Sequence, residues 1–112
     1  MSAKIISAHE LERQSATGSV KIFDCRFALN DPDAGRAAYE GSHIPGAVYV
    51  DLEKDLSGPV TSGTGRHPLP DFAVWRETLL SLQINANSTV VLYDGGPGVF
   101  AARFWWMLGW AG

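Results

Sequence analysis

The stretch Thr89-Val90-Val91-Leu92-Tyr93-Asp94-Gly95-Gly96-Pro97-Gly98-Val99 decides the fold. A β-branched apolar run reads as a buried strand, and the glycine-rich turn after it leads into an apolar helix from about Val99 to Trp110. Strand, tight loop and helix N-terminus together make an anion cradle, because the first helical amides have no intrahelical acceptors and point into the loop. The chain sets an acid, Asp94, at the mouth of that cradle and so fills it with its own negative charge. A carboxylate there predicts hydrogen bonds from the loop amides, with Arg103 or Arg26 as a candidate ion-pair partner.

Working outward, Ser7-Ala8-His9-Glu10 has the capping-box pattern and predicts a helix to about Ala16, ended by Thr17-Gly18-Ser19. Val20 to Cys25 alternates and reads as a strand. Asn30 to Arg36 is a loop of turn formers, followed by a short helix from Arg36 to Glu40 that ends at Gly41. Ala47 to Val50 is a short strand, and Ser57 to Leu69 is a long surface connection. Pro70 is placed at the first helical position of the clearest helix, with Phe72, Trp75, Leu79 and Leu82 on its buried face. Asn85 to Ser88 is a turn. Strands alternating with helices predict an α/β domain, a parallel sheet flanked by helices on both faces.

A chain of 112 residues supports one small domain, residues 1–112, not two. Its net charge of −3 and interspersed charges give no electrostatic support for nucleic-acid or anionic-membrane binding. The apolar run from Val99 to Ala111 is too short to span a bilayer and contains Arg103. The first residues lack a signal-peptide core, and a lone cysteine fits a reducing compartment, so the expected location is the cytoplasm. No zinc spacing and no nucleotide fingerprint is present, and no cofactor is expected. Gly112 reads as a helix C-cap, a position that normally leads into another element, so the chain is expected to be a fragment truncated at its C-terminus.

Four segments in order carry a family resemblance: Phe23-Asp24-Cys25-Arg26; Gly41-Ser42-His43-Ile44-Pro45-Gly46-Ala47 with Asp51-Leu52; Arg66-His67-Pro68-Leu69-Pro70; and the Asp94 loop with Ala102-Arg103-Phe104-Trp105-Trp106-Met107-Leu108. The chain resembles the N-terminal, non-catalytic domain of tandem rhodaneses, the thiosulfate and 3-mercaptopyruvate sulfurtransferases. The resemblance implies a rhodanese-like fold and a parent enzyme that moves sulfane sulfur to cyanide or a thiol. In active domains a cysteine ends the strand that here ends at Asp94, and a carboxylate cannot carry a persulfide. It implies a missing C-terminal catalytic domain as partner, a small-molecule sulfur donor in the parent, and no catalytic residue in this chain. Asp94, Gly95, Gly96, Pro97, Gly98 and Arg103 would then form a pseudo-active-site loop, and His67 with Glu53 would contribute to an interdomain cleft. Phosphatases of the same fold use a loop cysteine with an arginine where this chain has Phe100, which excludes their chemistry. Two departures are Gly109, where many relatives carry a basic residue, and Gln83, where glycine is common.

The sequence also admits two alternatives. The chain is otherwise a stand-alone, inactive binding or regulatory module of the same fold, or an enzyme that uses Cys25. Cys25 ends a buried strand and reads as a core residue. His43 reads as a backbone-bonding loop residue and His9 as surface, while His67 and Glu53 have a plain reading as a solvated loop. Trp105, Trp106 and Trp110 read as core and interdomain packing.

Overall fold

A computed structural model describes residues 5–18, 20–96 and 98–112. The elements run α1 (Ala8–Ser15), β1 (Val20–Asp24), α2 (Ala34–Gly41), β2 (Val48–Tyr49), α3 (Phe72–Ser81), β3 (Thr89–Tyr93) and α4 (Val99–Ala111). The three strands form a parallel sheet in the order β2-β1-β3. β1 and β3 pair along their whole lengths, from Val20 opposite Thr89 to Asp24 opposite Tyr93. The Cys25 amide extends the ladder by donating to the Tyr93 carbonyl at 2.7 Å.

Strand alternation divides the core in two. Phe23, Cys25, Val90 and Leu92 pack with Trp75 of α3 and Phe104, Met107 and Leu108 of α4. Val20, Ile22, Val91 and Tyr93 pack with Leu11 of α1 and Tyr39 of α2. Two helices therefore cover each face, as the alternation of elements predicts. Trp75 is fully buried, stands edge-on to Phe104 at 5.7 Å and donates its indole N–H to the Met107 carbonyl at 2.9 Å.

A buried carboxylate fastens the centre of the sheet. Asp24 has no solvent exposure. It accepts the Arg26 amide at 2.9 Å, the Arg26 Nε and Nη2 at 3.0 and 2.7 Å, and the Tyr93 hydroxyl at 2.9 Å. Arg26 Nη2 also donates to the Ser42 carbonyl at 2.7 Å, and Tyr93 Oη accepts the Ile44 amide at 3.2 Å. The Asp-x-Arg spacing puts both side chains on one side of the strand, so the pair forms without distorting the backbone. The Arg26 carbonyl accepts the Tyr49 hydroxyl at 2.9 Å. Gly35 in α2 lies directly against that bond, and a Cβ there would strike both the Arg26 carbonyl and the Tyr49 hydroxyl.

Several element boundaries differ from the sequence expectation. Pro70 is not the first helical residue: α3 starts at Phe72 after the N-cap Asp71. Phe72 is 38 % exposed, and Leu79 and Leu82 are only partly buried, so Trp75 alone anchors that helix completely. α2 begins at Ala34, two residues before Arg36, following Asp33. The β2 ladder is limited to Val48 and Tyr49, although Val50 beyond it is buried. Ser7 caps α1 by accepting the Glu10 amide at 3.1 Å, while the Glu10 carboxylate turns to Arg13 and Gln14. Ser19, expected among the residues ending α1, lies outside the described residues.

Gln83 holds a left-handed backbone with φ +61°. Its amide donates to the Leu80 carbonyl and that of Ile84 to Leu79, both at 3.0 Å, the paired bonds of a Schellman C-cap. A glycine occupies this backbone region without the Cβ penalty. Gln83→Gly is expected to stabilise the fold by about 1 kcal/mol, and a lower urea midpoint would contradict it. Gly35→Ala is expected to cost about 3 kcal/mol in the same titration, because the two atoms it meets, the Arg26 carbonyl and the Tyr49 hydroxyl, are bonded to each other and one is backbone.

Candidate functional site

The loop after β3 folds around the Asp94 side chain. Asp94 Oδ1 accepts the amides of Gly96 at 3.0 Å and Gly98 at 3.1 Å. Oδ2 accepts those of Phe100 at 3.1 Å and Ala101 at 3.0 Å. Gly98 is the N-cap of α4 and takes φ +83°, a left-handed value that turns the loop into the helix. Two of the orphan amides of α4 therefore end on a carboxylate at the positive end of the helix dipole. Pro97, the remaining member of the expected loop, lies outside the described residues.

Neither arginine pairs with this acid, contrary to the sequence expectation. Arg26 is engaged by Asp24, and its aliphatic stem lies beside Gly95. Arg103 turns away from Asp94. It donates to the carbonyls of Leu56 at 2.8 Å, His67 at 2.9 Å and Pro68 at 3.2 Å. The physical reason is saturation: four amides already satisfy the Asp94 carboxylate, while the backbone at Leu56, His67 and Pro68 presents carbonyl acceptors to Arg103.

An open depression of about 320 Å³ runs beside the loop, between Arg26, Phe27, Gly35, Gly95, Gly96 and Phe100. Arg26 is the charged group among its described lining residues, and Asp24 already neutralises it. An anion entering here would meet no unpaired cation among the described lining residues.

Cys25 is 2 % exposed and packs in the core with Phe23 and Phe104. Burial, and then the carboxylates of Asp24 and Asp94, push its thiol pKa far above the ordinary value. That environment suppresses the thiolate on which nucleophilic sulfur chemistry depends. His67 and Glu53 come together, with Nε2 3.2 Å from Oε2. The His67 ring also stands edge-on to Phe27 at 6.0 Å. His43 stacks on Tyr39 at 3.8 Å, with Nδ1 2.8 Å from the Tyr39 carbonyl oxygen.

Sequence reading missed Tyr93 as a ligand of Asp24, Gly35 as the close-approach glycine and the carbonyl partners of Arg103. The period-two spacing of Asp24 and Arg26 signals their pairing. Nothing local signals the other three, whose partners lie far along the chain.

Asp94→Ala is expected to lower stability by about 3 kcal/mol, because four amides lose a charged acceptor together. Asp94→Asn is expected to recover only part of this, since its amide group would set donors against N–H donors. Equal thermal midpoints for wild type and Asp94→Ala would contradict the assignment.

Known proteins share this fold. The rhodanese-like domain model matches residues 7–112. The chain is 50 % identical over 112 residues to a probable 3-mercaptopyruvate sulfurtransferase of Pseudomonas aeruginosa, covering 99 % of this chain and 39 % of that protein. It is 43 % identical over 109 residues to SseB of Mycobacterium tuberculosis, assigned as a thiosulfate sulfurtransferase, covering 96 % and 38 %. The solved 3-mercaptopyruvate sulfurtransferase from Leishmania major superposes with a TM-score of 0.79 at 31 % identity, over 88 % of this chain and 28 % of that one. The chain thus spans well under half the length of each of these relatives. No helix among the described residues is long and apolar enough to cross a membrane. With its parallel three-stranded sheet, four covering helices and a match along nearly its whole length, the chain belongs to the rhodanese-like domain family.

Proposed function

We propose that this chain is the non-catalytic N-terminal rhodanese domain of a two-domain sulfurtransferase. The parent enzyme would move sulfane sulfur from thiosulfate or 3-mercaptopyruvate to cyanide or a thiol. A C-terminal domain would supply the reactive cysteine, and this domain would wall the cleft between the halves. His67 and Glu53 would face that cleft. A cytoplasmic setting agrees with the single, reduced cysteine.

One observation carries the reading: the Asp94 carboxylate occupies a ring of four backbone amides. In sulfur relay those amides would serve a cysteine thiolate or persulfide. A carboxylate uses the same donors and has no sulfur to accept an atom from a donor. It also repels a nearby anionic donor. Cys25 offers no substitute, being buried behind the strand with its thiol held protonated.

The test compares wild type with Asp94→Cys. The wild-type chain is expected to form no thiocyanate from thiosulfate and cyanide, and to gain no sulfur in intact mass after thiosulfate exposure. In Asp94→Cys the loop amides would favour the thiolate, which would attack the outer sulfur of thiosulfate, release sulfite and retain one sulfur as a persulfide. A sulfur adduct at Cys25 of the wild type, or steady thiocyanate production by it, would overturn the proposal.

A further inference from the structure

Arg103 interrupts the most apolar helix of the chain, yet among the described residues no carboxylate lies within ion-pair distance of it. All of its hydrogen bonds run to the two ends of one loop. At the first end, Nε and Nη2 donate to the Leu56 carbonyl at 3.2 and 2.8 Å, and Nη2 reaches Ser57 Oγ at 3.4 Å. At the second, Nη1 donates to the His67 carbonyl at 2.9 Å and Nη2 to that of Pro68 at 3.2 Å. The ends are also joined directly by the Gly58 amide, which donates to the Pro68 carbonyl at 2.9 Å.

The two members of the His67–Glu53 pair sit at these ends. Glu53 lies just before Leu56 in a turn organised by Asp51, whose Oδ1 accepts the Glu53 amide at 2.8 Å. His67 lies on the other end, its imidazole 3.2 Å from the Glu53 carboxylate. The His67 side chain is 13 % exposed, whereas His9 and His43 are exposed residues.

We propose that Arg103 is a positioning residue: by gripping the backbone at Leu56 and His67 together, it keeps the His67 imidazole opposite Glu53. This deepens the reading above, in which the pair faces the interdomain cleft, although the clamp itself does not require that role. A guanidinium suits the task because its five N–H donors lie in a rigid plane and point in different directions. A lysine ammonium, with three donors on one atom, cannot span the same set of carbonyls.

The test uses the 112-residue chain as wild type, Arg103→Lys and Arg103→Met. Acylation by diethyl pyrocarbonate is followed by peptide mass spectrometry, with His9 and His43 as internal references. Amide exchange is read at Gly58 in the loop and at Cys25 in the sheet. In Arg103→Met, His67 is expected to react about fivefold faster. The reference histidines should hold their rates, Gly58 should lose protection and Cys25 should keep it. Arg103→Lys should fall between the two, and it carries the test alone if the methionine variant does not fold. An unchanged His67 rate in a folded variant would overturn the proposal. So would parallel loss of protection at Cys25, which would make Arg103 a general stabiliser. The cleft reading fails separately: unchanged turnover of a His67→Gln variant, with the domain joined to a cysteine-bearing rhodanese domain, would end that role and leave the clamp standing.

Discussion

The seat of the Asp94 carboxylate in four backbone amides governs this molecule. The amides at the start of α4 and in the glycine loop point inward because no preceding turn of helix offers them carbonyls. Such a ring must be filled by water, by a bound anion or by the protein itself. Here the protein fills it with a group that is negative, compact and two-oxygened, so each oxygen serves two donors. The same contacts order the loop. A carboxylate there has no sulfur to carry a persulfide, whereas a thiol in that position would be held by the same donors.

The loop keeps its place because the sheet beneath it is fastened by a second carboxylate. Asp24 joins β1 to β3 through Tyr93 and to the segment before β2 through Arg26 and Ser42. Its surroundings supply every lone pair with a donor, which makes a buried charge tolerable. Gly35 lets α2 lie directly against the bond from the Tyr49 hydroxyl to the Arg26 carbonyl. The two acids thus have different tasks, one sealing a loop and the other stitching the sheet. Arg103, which belongs to neither, ties the long connection before α3 onto α4.

Much of the fold was readable from local pattern. The strand of Thr89 to Tyr93, the glycine loop and the helix from Val99 stand where apolar run and glycine content place them. The Ser7 cap and the alternation of β1 were equally legible, because those signals lie within a few residues. Pattern and structure part where a local rule meets a tertiary one. The local rule puts Pro70 at the first helical position, but the helix starts beyond Asp71. Phe72 fits the apolar stripe of α3 yet is partly exposed, packing its ring against Trp110 of α4 at 5.1 Å. At Gln83 the backbone is left-handed, a conformation that glycine adopts without a Cβ penalty and that the residue's own identity does not announce.

The α/β alternation, the acid at the end of the third strand and the lack of a thiol in the loop are written in the chain itself. These are properties of neighbouring residues and of side-chain chemistry, and no packing can change them. Where the charges go is set by the folded arrangement. Arg103 was equally compatible with Asp94 and with distant carbonyls, and Arg26 with either of two acids. The choice follows from which acceptors remain unsatisfied once the backbone has closed, and hydrogen bonds across dozens of residues leave no mark in local spacing.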